Sequence, residues 1–253
     1  MSASLAGRVA LVTGAAGAGI GKACARRLGR DGATVVVTDV HEARTDATTR
    51  ELATELASTR VLGFSLDVTD RARVDAVLTE IADSVGPVDI LVNNAAINVL
   101  GPVATYDPGD WDHVLEVDLT ACWYLMRAVL PAMTAAGRGS IVNISSVASA
   151  LGGGGTEGPY AAAKAGLESL TRTVAVEAGP HGVRANAVAV GIVRSKFVEK
   201  HAEQLAPSAA RGPLRRMGEP EEIAAVVAWL ASDESSFVTG ETINASGGWH
   251  LSG

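Results

Sequence analysis

An apolar run from Val9 to Thr13 opens the regular part of the chain and ends in glycines. A run without polar alternation suits a parallel strand covered on both faces, since a strand with one wet face would alternate. From about Gly19 to Arg30 the pattern changes, with Ile20, Ala23, Cys24, Arg27 and Leu28 at helical spacing. The strand pattern returns at Val35 to Thr38. It is followed by a helical pattern near Ala43 to Ala57, a strand at Val61 to Ser65, a helix at Arg71 to Val85 and a strand at Val88 to Val92. Two longer helices are predicted, about Asp110 to Ala136 and Pro159 to Ala178, alternating with strands at Ser140 to Ile144 and Arg184 to Val188. A helix at Glu221 to Ala231 and a strand at Glu241 to Asn244 close the pattern.

Strands separated by helices throughout predict an α/β fold, a Rossmann-type doubly wound parallel sheet with helices on both faces, as a single domain over residues 1–253. The stretch from Val193 to Pro220 lacks periodicity. Long irregular segments in compact domains usually serve function, and this one is expected to be a substrate lid.

Composition narrows the classes. With 47% hydrophobic and 19% charged residues in 253, the chain can bury a core and is unlike a disordered segment. A net charge of -7 disfavours a nucleic-acid partner, because phosphate binding needs clustered Lys and Arg. Cys24 and Cys122 lie in apolar stretches without a second ligand at metal spacing, so buried reduced thiols and no metal are expected. The segment Met1 to Gly7 is too short and polar for a signal peptide, and no apolar run reaches the ~18 residues of a membrane span, which points to the cytoplasm.

Chemistry enters at the first strand-helix turn, Thr13-Gly14-Ala15-Ala16-Gly17-Ala18-Gly19-Ile20-Gly21. Glycines there let the backbone approach a pyrophosphate, whose charge sits on the free N–H groups of the following helix. Gly14, Gly17, Gly19 and Ile20 are the candidate contacts, with either Gly17 or Ala18 approaching the phosphates. Asp39 ends the second strand, 18 residues after Gly21. A carboxylate at that place accepts hydrogen bonds from the adenosine ribose hydroxyls and repels a 2'-phosphate, favouring NAD over NADP, with Arg44 the residue placed to weaken that preference.

Tyr160 and Lys164 are four residues apart at the start of a predicted helix and share a face. A phenol titrates near ~10 in water, and an adjacent ammonium favours its ionised form. Ser146, on the loop after a strand, is placed to donate to a substrate oxygen. Tyr-x-x-x-Lys alone recurs by chance; here it follows a strand and a Ser-rich loop at the carboxyl ends of the sheet, where doubly wound folds bind ligands.

Taken together, Thr13-Gly14 to Gly21, Asp67-Val68, Asn93-Asn94-Ala95, Ser146, Tyr160-x-x-x-Lys164, Asn186-Ala187-Val188 and Val238-Thr239-Gly240 resemble the short-chain dehydrogenases/reductases over essentially the whole chain. The resemblance implies hydride transfer between nicotinamide and a secondary alcohol or ketone, with Tyr160 as acid/base. It also implies Asp67 and Val68 at the adenine, Asn94 beside the ribose, Val193 and Ser195 at the nicotinamide carboxamide, and a homotetramer. The chain departs from the pattern in places: the glycine loop is one residue longer, Ala96 and Val190 replace a Gly and a Pro, and Asp118 stands where the family has an Asn that orders a relay water. If that water is bound through the backbone carbonyl, Asp118 is neutral; if the side chain is needed, a second charge near Lys164 alters the pH profile.

The substrate is open. The run Gly191-Ile192-Val193-Arg194-Ser195-Lys196-Phe197, with the longer glycine loop, is similar to actinobacterial members acting on steroid-degradation or acyl-CoA intermediates. Arg194, Lys196, Lys200, Arg211, Arg215 and Arg216 make the lid basic, partly balanced by Glu199 and Glu203. A neutral alcohol or ketone and a 3-oxoacyl thioester are the two candidate substrates, and a catalytically silent dinucleotide sensor is the reading of another class. Trp249 and His250 are expected to pack the tail.

Overall fold

The computed structural model describes residues 5–195, 198, 207–210 and 212–251. Its centre is a seven-stranded parallel sheet in the order β3-β2-β1-β4-β5-β6-β7. The strands are β1 (Val9–Val12), β2 (Thr34–Asp39), β3 (Val61–Ser65), β4 (Ile90–Asn93), β5 (Gly139–Ser146), β6 (Val183–Val190) and β7 (Thr242–Ala245). The helices are α1 (Ile20–Arg30), α2 (Glu42–Glu55), α3 (Arg71–Val85), α4 (Pro108–Leu115), α5 (Ala121–Ala136), α6 (Ala148–Leu151), α7 (Gly158–Ala178) and α8 (Pro220–Ala231). The doubly wound sheet expected from the alternation is therefore present.

The unbroken apolar strands are explained by two cores. Ala10 and Val12, Val35 and Val37, and Ile90 and Val92 pack into one, with Leu28 of α1, Leu52 of α2 and Val227 of α8. Their neighbours Val9, Leu11, Val36 and Leu91 pack into the other, with Val77 of α3, Leu125 of α5 and Leu167 of α7. Each strand thus has no wet face.

Helix ends follow local chemistry. Asp107 caps α4 by accepting from the N–H groups of Gly109 (2.8 Å) and Asp110 (3.2 Å), with Pro108 in the first turn, where its missing donor costs nothing. Glu219 and Glu222 form a reciprocal capping box on α8.

One prediction is corrected. The single helix expected from Asp110 to Ala136 is interrupted by a π-helical segment, Glu116–Thr120, between α4 and α5. Such bulges widen a single turn of a helix, and they recur at functional sites. α6 was also not anticipated, and β5 and β6 run further than expected, to Ser146 and Val190.

β1 pairs with both β2 and β4, so successive crossovers leave on opposite sides of it and open a crevice at the carboxyl ends. The base of the expected lid is closed by backbone pairing: Arg194 N–H donates to the Gly218 carbonyl and Gly218 N–H to the Ile192 carbonyl, both at 2.9 Å. Lys196, Lys200, Arg211, Glu199 and Glu203 lie outside the described residues. Among the lid cations that are described, Arg194 pairs with Glu219 (2.9 Å) and Arg216 with Glu222 (2.7 Å).

Candidate active site

A cleft of about 720 Å³ occupies the crevice. It is lined by Gly14, Gly19, Ile20, Asp39, Asp67, Val68, Asn94, Ser146, Tyr160, Lys164, Val193 and Ser195, twelve of the fourteen site residues expected from sequence. The other two, Gly17 and Asp118, do not line it.

The glycine loop is fixed from below. Thr13 Oγ1 accepts from the N–H groups of Asn94 and Ala95, both at 3.0 Å. Asn94 Nδ2 returns hydrogen bonds to the carbonyls of Thr13 (2.9 Å) and Gly14 (3.0 Å). Gly14 has a φ of +60°, and a Cβ on it would lie 2.8 Å from Ala95 Cα. Gly14→Ala is therefore expected to destabilise the chain by about 1–3 kcal/mol through overpacking and left-handed strain. Urea unfolding checks this; an unshifted midpoint would mean that the loop is free to move away from β4.

The extra loop residue is accommodated at Gly17, whose N–H donates to Thr48 Oγ1 of α2 at 3.2 Å. Gly17 is thus turned toward α2, and Ala18 and Gly19 face the cleft instead. Sequence reasoning did not find Thr48, since nothing in its local pattern marks it as a partner of the loop. The N-terminus of α1 has no side-chain cap and no acidic residue in its first turn. Free N–H groups at the positive end of a helix, opening on a cleft, fit a pyrophosphate.

At the far end, Asp39 is buried at the tip of β2, where its Oδ1 accepts from His41 N–H (3.1 Å) and meets Arg44 Nη2 at 3.4 Å. Burial raises its pKa, opposed by the Arg44 guanidinium and by backbone hydrogen bonds. Asp67 Oδ1 is held by the N–H (2.9 Å) and hydroxyl (2.7 Å) of Thr69.

On the other side of the cleft, β5 delivers Ser146 and α7 delivers Tyr160 and Lys164. Lys164 Nζ lies 5.3 Å from the centre of the Tyr160 ring. Ser146 hydrogen-bonds the phenol, and its Oγ also accepts from Ala148 N–H at 3.1 Å. The sequence reading has the ammonium pulling the phenol down. That influence has the expected sign but is outweighed: burial, with the Asp118 and Glu157 charges, holds Tyr160 above the ordinary tyrosine value, against Lys164 and the Ser146 hydrogen bond. In the protein without ligand, Tyr160 is therefore a protonated acid at neutral pH.

Asp118 sits on the π-helical segment, fully buried. Its Oδ1 accepts from Ile97 N–H at 2.8 Å and its Oδ2 lies 3.1 Å from Lys164 Nζ. Burial raises the Asp118 carboxyl, with the Lys164 ammonium and Ile97 N–H pulling it back. Burial also works against the Lys164 ammonium, yet Asp118, Tyr160 and Cys122 more than compensate, so Lys164 stays above the ordinary lysine range. The pair favours the ammonium and only partly offsets the burial of the carboxylate. The side chain, rather than the backbone carbonyl alone, thus contacts the Tyr160-Lys164 pair.

The cleft also takes in residues outside the expected set, Trp249 and Glu157 among them. Trp249, expected to pack the tail, lines the cleft and donates Nε1–H to the Ser208 carbonyl at 3.0 Å. Glu157 also lines it, and the signal available was a lone charge in a glycine-rich stretch three residues before Tyr160. The two cysteines are buried with thiols pushed up to about 12 by burial, so neither is a ready nucleophile. No cluster of metal-ligating side chains occurs among the described residues, and no helix among them is long and apolar enough to cross a membrane.

A doubly wound sheet with a glycine-lined helix N-terminus on one side of its crevice and Ser, Tyr and Lys on the other defines a dinucleotide oxidoreductase of the short-chain type. Residues 14–250 match the family model described as enoyl-(acyl carrier protein) reductase. The chain is 45% identical over 246 residues to the (5R,7aS)-5-hydroxy-7a-methyl-1-oxo-2,3,5,6,7,7a-hexahydro-1H-indene-carboxyl-CoA reductase of Mycobacterium tuberculosis, covering 96% of this chain and 93% of that one. It is 42% identical to the cis-4-hydroxycyclohexanecarboxylate dehydrogenase of Sinomonas cyclohexanicum (98% and 99% covered). It is 40% identical to the 3-oxoacyl-[acyl-carrier-protein] reductase of Thermotoga maritima (96% and 98%). A short-chain type dehydrogenase/reductase from Mycobacterium marinum superposes with a TM-score of 0.93 at 31% identity, with 98% of each chain covered. The chain belongs to the short-chain dehydrogenase/reductase family.

Proposed function

We propose that the protein is an NAD(H)-dependent oxidoreductase that interconverts a secondary alcohol and a ketone, with Tyr160 as general acid/base. The observation that carries this reading is the placement of Ser146, Tyr160 and Lys164 on one wall of the cleft whose other end holds the glycine loop and Asp39. The nicotinamide, when bound, supplies or accepts the hydride. The chain's own residues handle the oxygen. In the reducing direction Ser146 donates a hydrogen bond to the ketone oxygen and orients it, and the Tyr160 hydroxyl gives that oxygen its proton. The Lys164 ammonium stabilises the phenolate left behind. Asp118 keeps Lys164 charged and fixed from its buried side. In the oxidising direction the phenolate takes the alcohol proton.

Asp39 supports the preference for NAD, since a second phosphate on the ribose would meet a buried carboxylate. Arg44, paired with Asp39 at 3.4 Å and 47% exposed, is the residue that could still accept such a phosphate. The test is absorbance at 340 nm over ketones, alcohols and 3-hydroxyacyl-CoAs with both cofactors. We expect kcat/KM with NAD(H) to exceed that with NADP(H) by at least about tenfold, and Asp39→Ser to narrow the gap by a similar factor. A preference for NADP(H) in the unaltered chain refutes the Asp39 assignment.

Residues 193–220 are the lid in this reading. The relatives divide between a ketone or alcohol whose acid group is a CoA or acyl-carrier thioester and one whose acid group is a free carboxylate. Both leave the chemistry at Tyr160 unchanged. A cytoplasmic homotetramer completes the proposal, supported by the family and by exposed Trp123 on α5 and Val176 on α7, apolar side chains that a subunit contact would cover.

A further inference from the structure

Glu157 is half-buried at the start of α7, one turn before Tyr160, and lines the cleft. Its carboxylate does not cap α7. Oε1 accepts from Asn98 Nδ2 at 2.6 Å, while Oε2 has no hydrogen-bond donor among the described residues. Gly153, also on the cleft wall, makes room for it: a Cβ there would lie 2.5 Å from Glu157 Cβ and 3.4 Å from Oε2. Beneath, the buried Oδ1 of Asn98 is also without a partner among the described residues. The carboxylate thus stands in a cleft whose lining includes the apolar Leu100, Val117, Leu151, Val190 and Ile192 beside the polar His113, Ser146 and Thr156.

The cations of the same cleft do not balance it. Of the described Lys and Arg residues lining the cleft, Lys164 is held by Asp118 (3.1 Å), Lys22 by Glu51 (2.6 Å) and Arg44 by Asp39 (3.4 Å). His113 also lines the cleft, and a carboxylate on a substrate beside Tyr160 would meet the Glu157 carboxylate with no unpaired Lys or Arg among the described residues of the lining. Burial further lifts the Glu157 carboxyl, opposed by the Asn98 hydrogen bond, as expected of an acid in low-dielectric surroundings.

We infer that Glu157 is a specificity-determining residue that excludes free carboxylates from the substrate side of the cleft, selecting alcohols and ketones whose acid group is masked as a thioester, ester or amide. The inference rests on the oxidoreductase reading for its meaning, and it favours the thioester over the free-acid class left open above. It is tested by calorimetric titration of the full chain, in excess NAD, with cyclohexanecarboxylate and its methyl ester. In the unaltered chain the ester binds more tightly. Glu157→Gln, which keeps the acceptor for Asn98, is expected to lower the ester-to-acid affinity ratio at least about fivefold, whereas Glu157→Asp, which keeps the charge, holds it within about twofold. An unchanged ratio in Glu157→Gln, or an equal fall in Glu157→Asp, overturns the inference; the second result would mean a purely structural role. Turnover is read separately, so a chain that reduces no ketone would strike the oxidoreductase reading while the binding ratio still decides on Glu157.

Discussion

Tyr160→Phe is expected to lower kcat for ketone reduction by about 10²–10⁴-fold, the usual worth of a positioned general acid. The ring and its packing survive the substitution, and only the proton and the acceptor of the Ser146 hydrogen bond are lost. Fluorescence titration with NADH should therefore still show saturable binding while the 340 nm assay shows almost no turnover. In the proposed mechanism the hydroxyl acts at the reacting oxygen, so kcat and kcat/KM should fall together. A variant that retained full activity would remove Tyr160 from the mechanism, whatever its place in the cleft.

The second large effect is expected at Asp118. Asp118→Ala leaves the Lys164 ammonium buried without its carboxylate, and breaking one side of a buried ion pair costs about 3–5 kcal/mol. Urea denaturation should show that loss, and a Lys164→Met partner substitution should recover a large part of it, because the double variant buries no unpaired charge. The pH dependence has a definite sign. Lys164 is raised above its ordinary value, so the stability it contributes is complete below pH 10.5 and is lost only as pH climbs through the raised value. The gap between the natural chain and Asp118→Ala should close in strong alkali, as Lys164 loses its proton, and narrow in acid, as the raised Asp118 carboxyl gains one. The isosteric Asp118→Asn asks a subtler question. It keeps the acceptor for Ile97 N–H and removes a charge that lifts the Tyr160 phenol. The alkaline-side rise of alcohol oxidation, which needs the phenolate, is expected to move to lower pH. Superimposable profiles would make the carboxylate a bystander.

Much of this arrangement is legible in the residues themselves. β1, β3 and α3 fall within a residue of their expected bounds because their periodicities are unmixed and their neighbours are turn formers. Ser146, Tyr160 and Lys164 are readable because a strand end and a helix start bring them to the same crevice. What is not legible depends on contacts distant in sequence. The helical spacing from Asp110 to Ala136 runs straight through the π-helical segment, since the buried Val114, Val117, Asp118, Ala121, Cys122 and Leu125 keep steps of three and four and nothing local marks the wider turn. The bond from Asp118 to Lys164 spans that segment and α7, so its existence follows from tertiary packing alone. Whether Gly17 or Ala18 faces the cleft is open in the sequence, because the Thr48 hydroxyl that takes the Gly17 N–H comes from another helix.

The shared hydroxyl of Thr13 has a wider implication. Because it ties the first crossover to the backbone that follows β4, the glycine loop and the Asn94 segment are set by one linkage rather than as two independent loops. Recognition of a dinucleotide then needs little induced ordering, and grafting a loop of different length from another member would have to bring its counterpart at Asn94 along with it.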